Sequence, residues 1–170
     1  MKILALFISI LTILSCTSSS NMSHVNEPKA STSVSDGDTT IVKVVKTEEE
    51  WKEQLTTEEF RVLREAGTQQ AFTCDLWDNT EEGTYVCAGC EFPLFSSDSK
   101  FKSGTGWPSF YEPLNKSCIG EVADYSYGWN RVEVICNQCD GHQGHVFTDG
   151  PQPTGLRYCI NGVSLNFIPK

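Results

Sequence analysis

Cysteine is the residue type whose number and spacing say most about chemistry in this chain. There are eight, and four of them form two CxxC pairs, Cys87-Ala88-Gly89-Cys90 and Cys136-Asn137-Gln138-Cys139. Each pair follows a stretch with strand character, so each can form a knuckle at a strand end. Two knuckles brought together offer four thiolates to one tetrahedral Zn(II) ion. The long gap between them must then be a folded insert closed by the metal. The alternative is two disulfides. A disulfide inside a CxxC is strained and reactive, which makes it a poor structural staple. Structural zinc, one per chain, is therefore the expected cofactor.

A third group of residues could work on substrate. In Arg157-Tyr158-Cys159-Ile160-Asn161, a strand running into a turn, alternation puts Arg157 and Cys159 on one face, and Asn161 with them if the strand extends that far. A free thiol is only a few per cent ionised at neutral pH, and a neighbouring guanidinium favours the thiolate. His142 and His145 stand close behind the second CxxC. They are surplus to a four-sulfur site and free to move protons, or they are simply satisfied in a turn. The run Ser103-Gly104-Thr105-Gly106-Trp107-Pro108-Ser109-Phe110 presents Trp107 and Phe110 from a tight loop. Two such aromatics line an apolar pocket or belong to the core.

The elements that must hold these residues are short. Thr47 with Glu50, and Thr56 with Glu59, match the capping box and predict helices within 41–67. Phe60, Leu63 and Ala66 share a face there, and Gly67 supplies the stop. From Gly83 onward, strands are predicted over 84–87, 131–136, 145–148, 157–160 and 164–168, with turns at Asp149-Gly150-Pro151 and Asn161-Gly162. The fold class expected is mainly β, with antiparallel sheets and N-terminal helices.

The N-terminus has a separate purpose. Lys2 precedes the apolar run Ile3 to Leu14, which is too short to span a bilayer and suits a signal peptide. The run ends Leu14-Ser15-Cys16, the pattern of a lipoprotein leader whose Cys16 is lipidated. The expected division is 1–15 signal peptide, 16–40 lipidated Cys and flexible tether, and 41–170 folded domain. The protein is expected to be exported, anchored to a membrane by lipid and monomeric. With 13 Lys+Arg against 22 Asp+Glu, nucleic acid is not an expected partner. Lipid and zinc account for five cysteines and leave Cys74, Cys118 and Cys159.

Together, "GTGWPSF", "CDGHQGHVFTDGPQPTGLRYCIN" and the two CxxC pairs resemble the B-type methionine sulfoxide reductases, which act on the R epimer. The resemblance covers about residues 56–169. It implies two antiparallel β-sheets, with zinc stapling the side away from the active site. It assigns thiolate attack to Cys159 and protonation of the sulfoxide oxygen to His145, supported by His142. It also implies that Arg157 holds the thiolate, Asn161 orients substrate or water, and Trp107 receives the substrate methyl, with Phe110 second. The implied partners are oxidised proteins carrying methionine-R-sulfoxide and a thioredoxin-like reductant.

Two features depart from the family pattern. Thr105 stands where many members carry the resolving Cys, which leaves Cys74 or Cys118 for that role, with Cys74 preferred. Tyr127 and Trp129 replace a His and a Met, which touches substrate preference and not reaction type. The rival readings are a non-catalytic zinc-stapled β-module that binds a protein, and a thiol-disulfide oxidoreductase using one CxxC.

Overall fold

The computed structural model describes residues 40–170. The leader, Cys16 and nearly all of the tether lie outside the described residues. Helix α1 spans Glu48–Gln54 and α2 spans Thr57–Leu63. Both capping boxes form. Thr47 accepts from the Glu50 amide at 3.2 Å while Glu50 accepts from the Thr47 amide at 2.7 Å. Thr56 and Glu59 repeat the arrangement. Helix α1 buries Trp51, and α2 buries Phe60, Val62 and Leu63. Each large apolar side chain removed from water contributes about 1.5–3 kcal/mol. Residues 41–46 are extended, not helical. The Val44 amide donates to the Gln138 carbonyl across the second CxxC turn. Ala66 lies exposed past the end of α2 with φ of 52°.

Eight strands follow: β1 Gly83–Cys87, β2 Pro93–Ser96, β3 Ser109–Phe110, β4 Ile119–Asp124, β5 Arg131–Cys136, β6 His142–Phe147, β7 Arg157–Ile160 and β8 Leu165–Pro169. They form two antiparallel sheets, a small one in the order β2-β1-β8 and a large one in the order β3-β7-β6-β5-β4. The expected two-sheet β class is the one found. Aromatic side chains join the sheets. Phe95 stacks on Phe110 at 4.4 Å, and Tyr85 meets the Phe110 ring edge-on at 5.0 Å. Phe110 is fully buried in this layer. It is core, not the substrate pocket that the resemblance offered as its second choice.

The large sheet carries its polar residues in a row across neighbouring strands. In register, Val122 lies opposite Glu133, Glu133 opposite His145, His145 opposite Cys159, and Cys159 opposite Ser109. A β-bulge shapes this row. Val134 pairs with Gly144 and Ile135 with His142, so β6 holds one residue more than β5. Residues three apart on a regular strand face opposite ways; the extra residue brings His142 and His145 to the same side. Gly144 has no alternative side chain here, because a Cβ would lie 2.1 Å from the Cys159 carbonyl oxygen.

Candidate active site and metal centre

The four CxxC sulfurs converge. Cys87 Sγ and Cys139 Sγ are 3.7 Å apart, Cys90 Sγ and Cys136 Sγ are 3.6 Å apart, and all four lie within 4.8 Å of one another. Tetrahedral zinc with Zn–S near 2.3 Å sets sulfurs about 3.8 Å apart, so the cradle fits that ion. The two knuckles share one backbone design. The residue after each second Cys, Glu91 or Asp140, has φ near 60° and returns its amide to the carbonyl of the first Cys. Neighbours fix both turns. Gln54 donates to the Gly89 carbonyl, and Arg64 donates to the Cys139 carbonyl. The amide of the bulge residue Gln143 reaches Cys87 Sγ at 3.4 Å. His142 and His145 take no part in this cluster.

The second centre lies around Cys159, half-buried on β7. Thr105 Oγ1 is 3.9 Å from Cys159 Sγ. Ser103 bonds to Thr105 and accepts from buried Ser109, so a hydroxyl chain runs from the sulfur into the sheet. Position 105, where many relatives of the resembled kind carry a cysteine, is therefore in contact with Cys159. Trp107 lines a cleft with Trp77, Lys102, Ser103 and two glycines, and its indole donates to the Gln69 carbonyl at 3.0 Å.

Burial pushes the Cys159 thiol up from its ordinary pKa, while Thr105 and Arg157 oppose it less strongly. The expected thiolate is thus not the favoured form in the substrate-free protein. The physical reason is burial of the sulfur, which outweighs a guanidinium shared with other partners. Arg157 makes a two-point ion pair with Asp149, at 2.8 and 3.0 Å, and stacks 4.4 Å over Phe147.

The histidines each hold a carboxylate. His145 Nε2 lies 2.8 Å from Asp124 Oδ2, and His142 Nδ1 lies 2.6 Å from Glu133 Oε1. The rings are 5.5 Å apart. Burial lowers the His145 pKa, and the Asp124 bond only partly restores it. Asp124 is held well below the usual carboxylate range, first by the Ser126 hydroxyl and amide and then by His145.

Asn161 follows β7 and shares its partner Gln69 with the Trp107 indole. It is buried, donates to the Gln143 carbonyl at 3.0 Å and accepts from the Gln69 amide at 2.9 Å. Its amide ties the 69–77 segment to β6. That same segment carries Cys74. Its sulfur sits against Gly162, where a Cβ would come within 2.2 Å of it. Gly162 is three residues from Cys159, at most about 11 Å along the chain. Cys118 is buried just before β4, next to Ile119, which pairs with Cys136 at the metal end. From the Cys159 row it is three strands across and four residues along, roughly 14 Å in each direction. Among the replaced residues, Trp129 is exposed; the Tyr127 side chain lies outside what the structure describes.

Reasoning from sequence missed Asp124, Glu133 and Gln69, whose roles depend on strand register and a loop contact. For Glu133 there was a signal, since it alternates with the apolar Val132 and Val134.

Comparison with known proteins fits this geometry. Residues 55–169 match the SelR domain model. The chain is similar to the peptide methionine sulfoxide reductase MsrB of Leptospira interrogans, with 54% identity over 74% of this chain and 95% of the relative. It is 55% identical to the protein of the same name from Thiobacillus denitrificans over the same shares. It is 52% identical to that of Agrobacterium fabrum, over 78% of this chain and 98% of the relative.

The metal centre is testable directly. Metal analysis of the purified protein should find one zinc per chain. Cys136→Ser should lose it and unfold at a markedly lower temperature, because structural zinc carries roughly 10–16 kcal/mol of binding energy. Full stability of the native protein after complete metal removal would show that the cluster is not a structural metal site.

Proposed function

The chain belongs to the SelR-domain family, that of the B-type methionine sulfoxide reductases, and on that premise we propose that it reduces methionine-R-sulfoxide in oxidised proteins to methionine, with Cys159 as the nucleophile. The single observation that carries this reading is the placement of Cys159 directly across from His145 in the polar row of the large sheet. Methionine sulfoxide offers an electrophilic sulfur and a basic oxygen. The Cys159 sulfur attacks the sulfoxide sulfur, and the oxygen accepts a proton by way of His145. The oxygen ends on Cys159 as a sulfenic acid, and methionine leaves. Trp107, on the wall of the adjoining cleft, is the surface for the substrate methyl.

The sulfenic acid is removed by a second thiol. Cys74 is favoured for this, because its sulfur rests on Gly162 while Cys118 sits at the metal end. The pairing needs the 69–77 segment to move, since a disulfide holds its Cα atoms within about 7 Å. Condensation of Cys74 with the sulfenic acid releases water and leaves a Cys74–Cys159 disulfide. A thioredoxin-like dithiol then reduces that disulfide. The four-sulfur cradle takes zinc, which acts structurally and enters no step. Lipidation of Cys16 would tether the domain to a membrane outside the cytosol, where the donor is an exported or membrane-relayed relative of thioredoxin.

Three measurements test this. With dithiothreitol as reductant, a peptide carrying the R epimer should be reduced and the S epimer left, and Cys159→Ser should fall to background; turnover of S alone would overturn the reading. Cys74→Ser should keep dithiothreitol-driven activity and lose most thioredoxin-driven activity, whereas Cys118→Ser keeps both. Full thioredoxin-driven turnover in Cys74→Ser would remove it from the resolving role. Cells fed radioactive palmitate should label the native protein and not Cys16→Ala; label retained in that variant would exclude lipidation there.

A further inference from the structure

One carboxylate organises the surroundings of His145. Asp124 ends β4, and each of its oxygens is engaged. Oδ1 accepts from the Ser126 amide at 2.9 Å and from the Ser126 hydroxyl at 2.5 Å. Oδ2 accepts from Arg131 at 2.7 Å and lies 2.8 Å from His145 Nε2. An ionised carboxylate only accepts. The hydrogen on the His145 ring must therefore sit on Nε2, which leaves the Nδ1 lone pair as the basic site of the neutral ring. His145 and Cys159 are direct cross-strand partners, a relation that sets Cβ atoms about 4.5–5.5 Å apart.

We infer that Asp124 is the positioning residue of a Cys159–His145–Asp124 relay: it fixes the hydrogen on His145 Nε2, leaves Nδ1 to take the Cys159 proton, and carries the countercharge while the ring is cationic. This rests on the roles proposed above for Cys159 and His145. The balance closes with one proton. The Cys159 S–H bond breaks and its proton goes to Nδ1. The sulfur's electron pair forms a bond to the sulfoxide sulfur. The proton passes from Nδ1 to the sulfoxide oxygen, which moves to Cys159 as the S–O–H group. Methionine is reduced, Cys159 is oxidised by the same two electrons, and His145 returns to the neutral ring held by Asp124.

This division of labour suits the electrostatics of the site. Burial favours the uncharged forms of both Cys159 and His145, so the pair rests as thiol and imidazole. Charge separation then needs a fixed anion behind the ring. The other charged or titratable groups on the His145 face of the surrounding strands are Arg131 and Glu133 on β5, His142 on β6 and Arg157 on β7, while Glu121, Cys136 and Tyr158 alternate to the opposite face. Glu133 is taken by His142, and Arg157 by Asp149. Asp124 alone among the described carboxylates bonds to His145.

The test uses the purified full chain with zinc bound. Methionine released in a single turnover without reductant is followed against pH, and His145 is titrated by nitrogen-15 NMR. In Asp124→Asn, methionine formation should slow by about a hundredfold, the scale of acid–base assistance. The His145 midpoint should move down, because the lost anion favoured its charged form. The acid limb of the rate profile should move down with it. Arg131→Gln removes a cation that disfavours charged His145, so the midpoint should move up, opposite in sign. Asp124→Glu should restore the midpoint and part of the rate. Where the Asn variant loses zinc or cooperative unfolding, Asp124→Ser gives the same readings.

A native single-turnover rate in Asp124→Asn overturns the relay, as does a slowed rate with an unmoved His145 midpoint. His145→Gln separates the two levels. If it is slow while Asp124→Asn is native, only the relay fails. If His145→Gln itself runs at the native rate, the role proposed for His145 fails first.

Discussion

The fold hangs on four sulfurs. Cys87 and Cys90 follow β1 of the small sheet, and Cys136 and Cys139 follow β5 of the large one. Their convergence joins the end of one strand from each sheet, continuous with the core that holds Tyr85, Phe95 and Phe110. A domain of this size is stable by only about 5–15 kcal/mol. Metal bound at such a site contributes a comparable amount. The knuckles are therefore not an accessory to a finished core. The helices reinforce this, since α1 and α2 each send a polar side chain to a knuckle carbonyl and pack Trp51 and Leu63 behind them.

The consequence reaches the chemistry through one strand. Strand β6 starts three residues after Cys139 and bulges at once. Gln143, fully buried, bonds to Cys87 on one side. Its carbonyl accepts from the Asn161 backbone and side chain on the other. The extra residue turns His142 and His145 to the same face. Without it the two imidazoles would face opposite sides of the sheet. The four-sulfur cluster and the Cys159–His145 pair are thus connected by backbone geometry.

How much of this the sequence disclosed follows from how local each signal is. Capping boxes are four-residue patterns, and both gave the helix starts correctly. The CxxC pairs and the RYCIN strand are equally local, and they stand where expected. Strands β2, β3 and β4 were not foreseen. β2 opens with Pro93, β3 has two residues, and Ile119–Asp124 shows no clean alternation of apolar and polar. The extended 41–46 segment was read as part of the helical stretch because its partner, Gln138, is 94 positions away. Asp124 belongs with these. Nothing near it in the chain marks it as a histidine's partner; only the pairing of β4, β5 and β6 brings the two together. Phe110 shows the opposite limit, since a motif fixes where a residue stands in the chain but not that its side chain joins the core.

The upward push on the Cys159 thiol is best understood against what a permanent thiolate would cost. A half-buried thiolate held ready beside Arg157 would react with any oxidant reaching the cleft and climb toward irreversible oxidation states. Sharing the guanidinium with Asp149 and Phe147 leaves burial as the larger influence, and burial favours the protonated sulfur. On the relay proposed above, reactivity depends on a proton acceptor across the strand and on a substrate oxygen able to take the proton onward. Burial favours the uncharged forms of both thiol and imidazole, and in that proposal one internal proton suffices for the whole oxygen transfer. A sulfoxide brings the basic oxygen that completes the transfer; a passing oxidant without that geometry meets only a thiol.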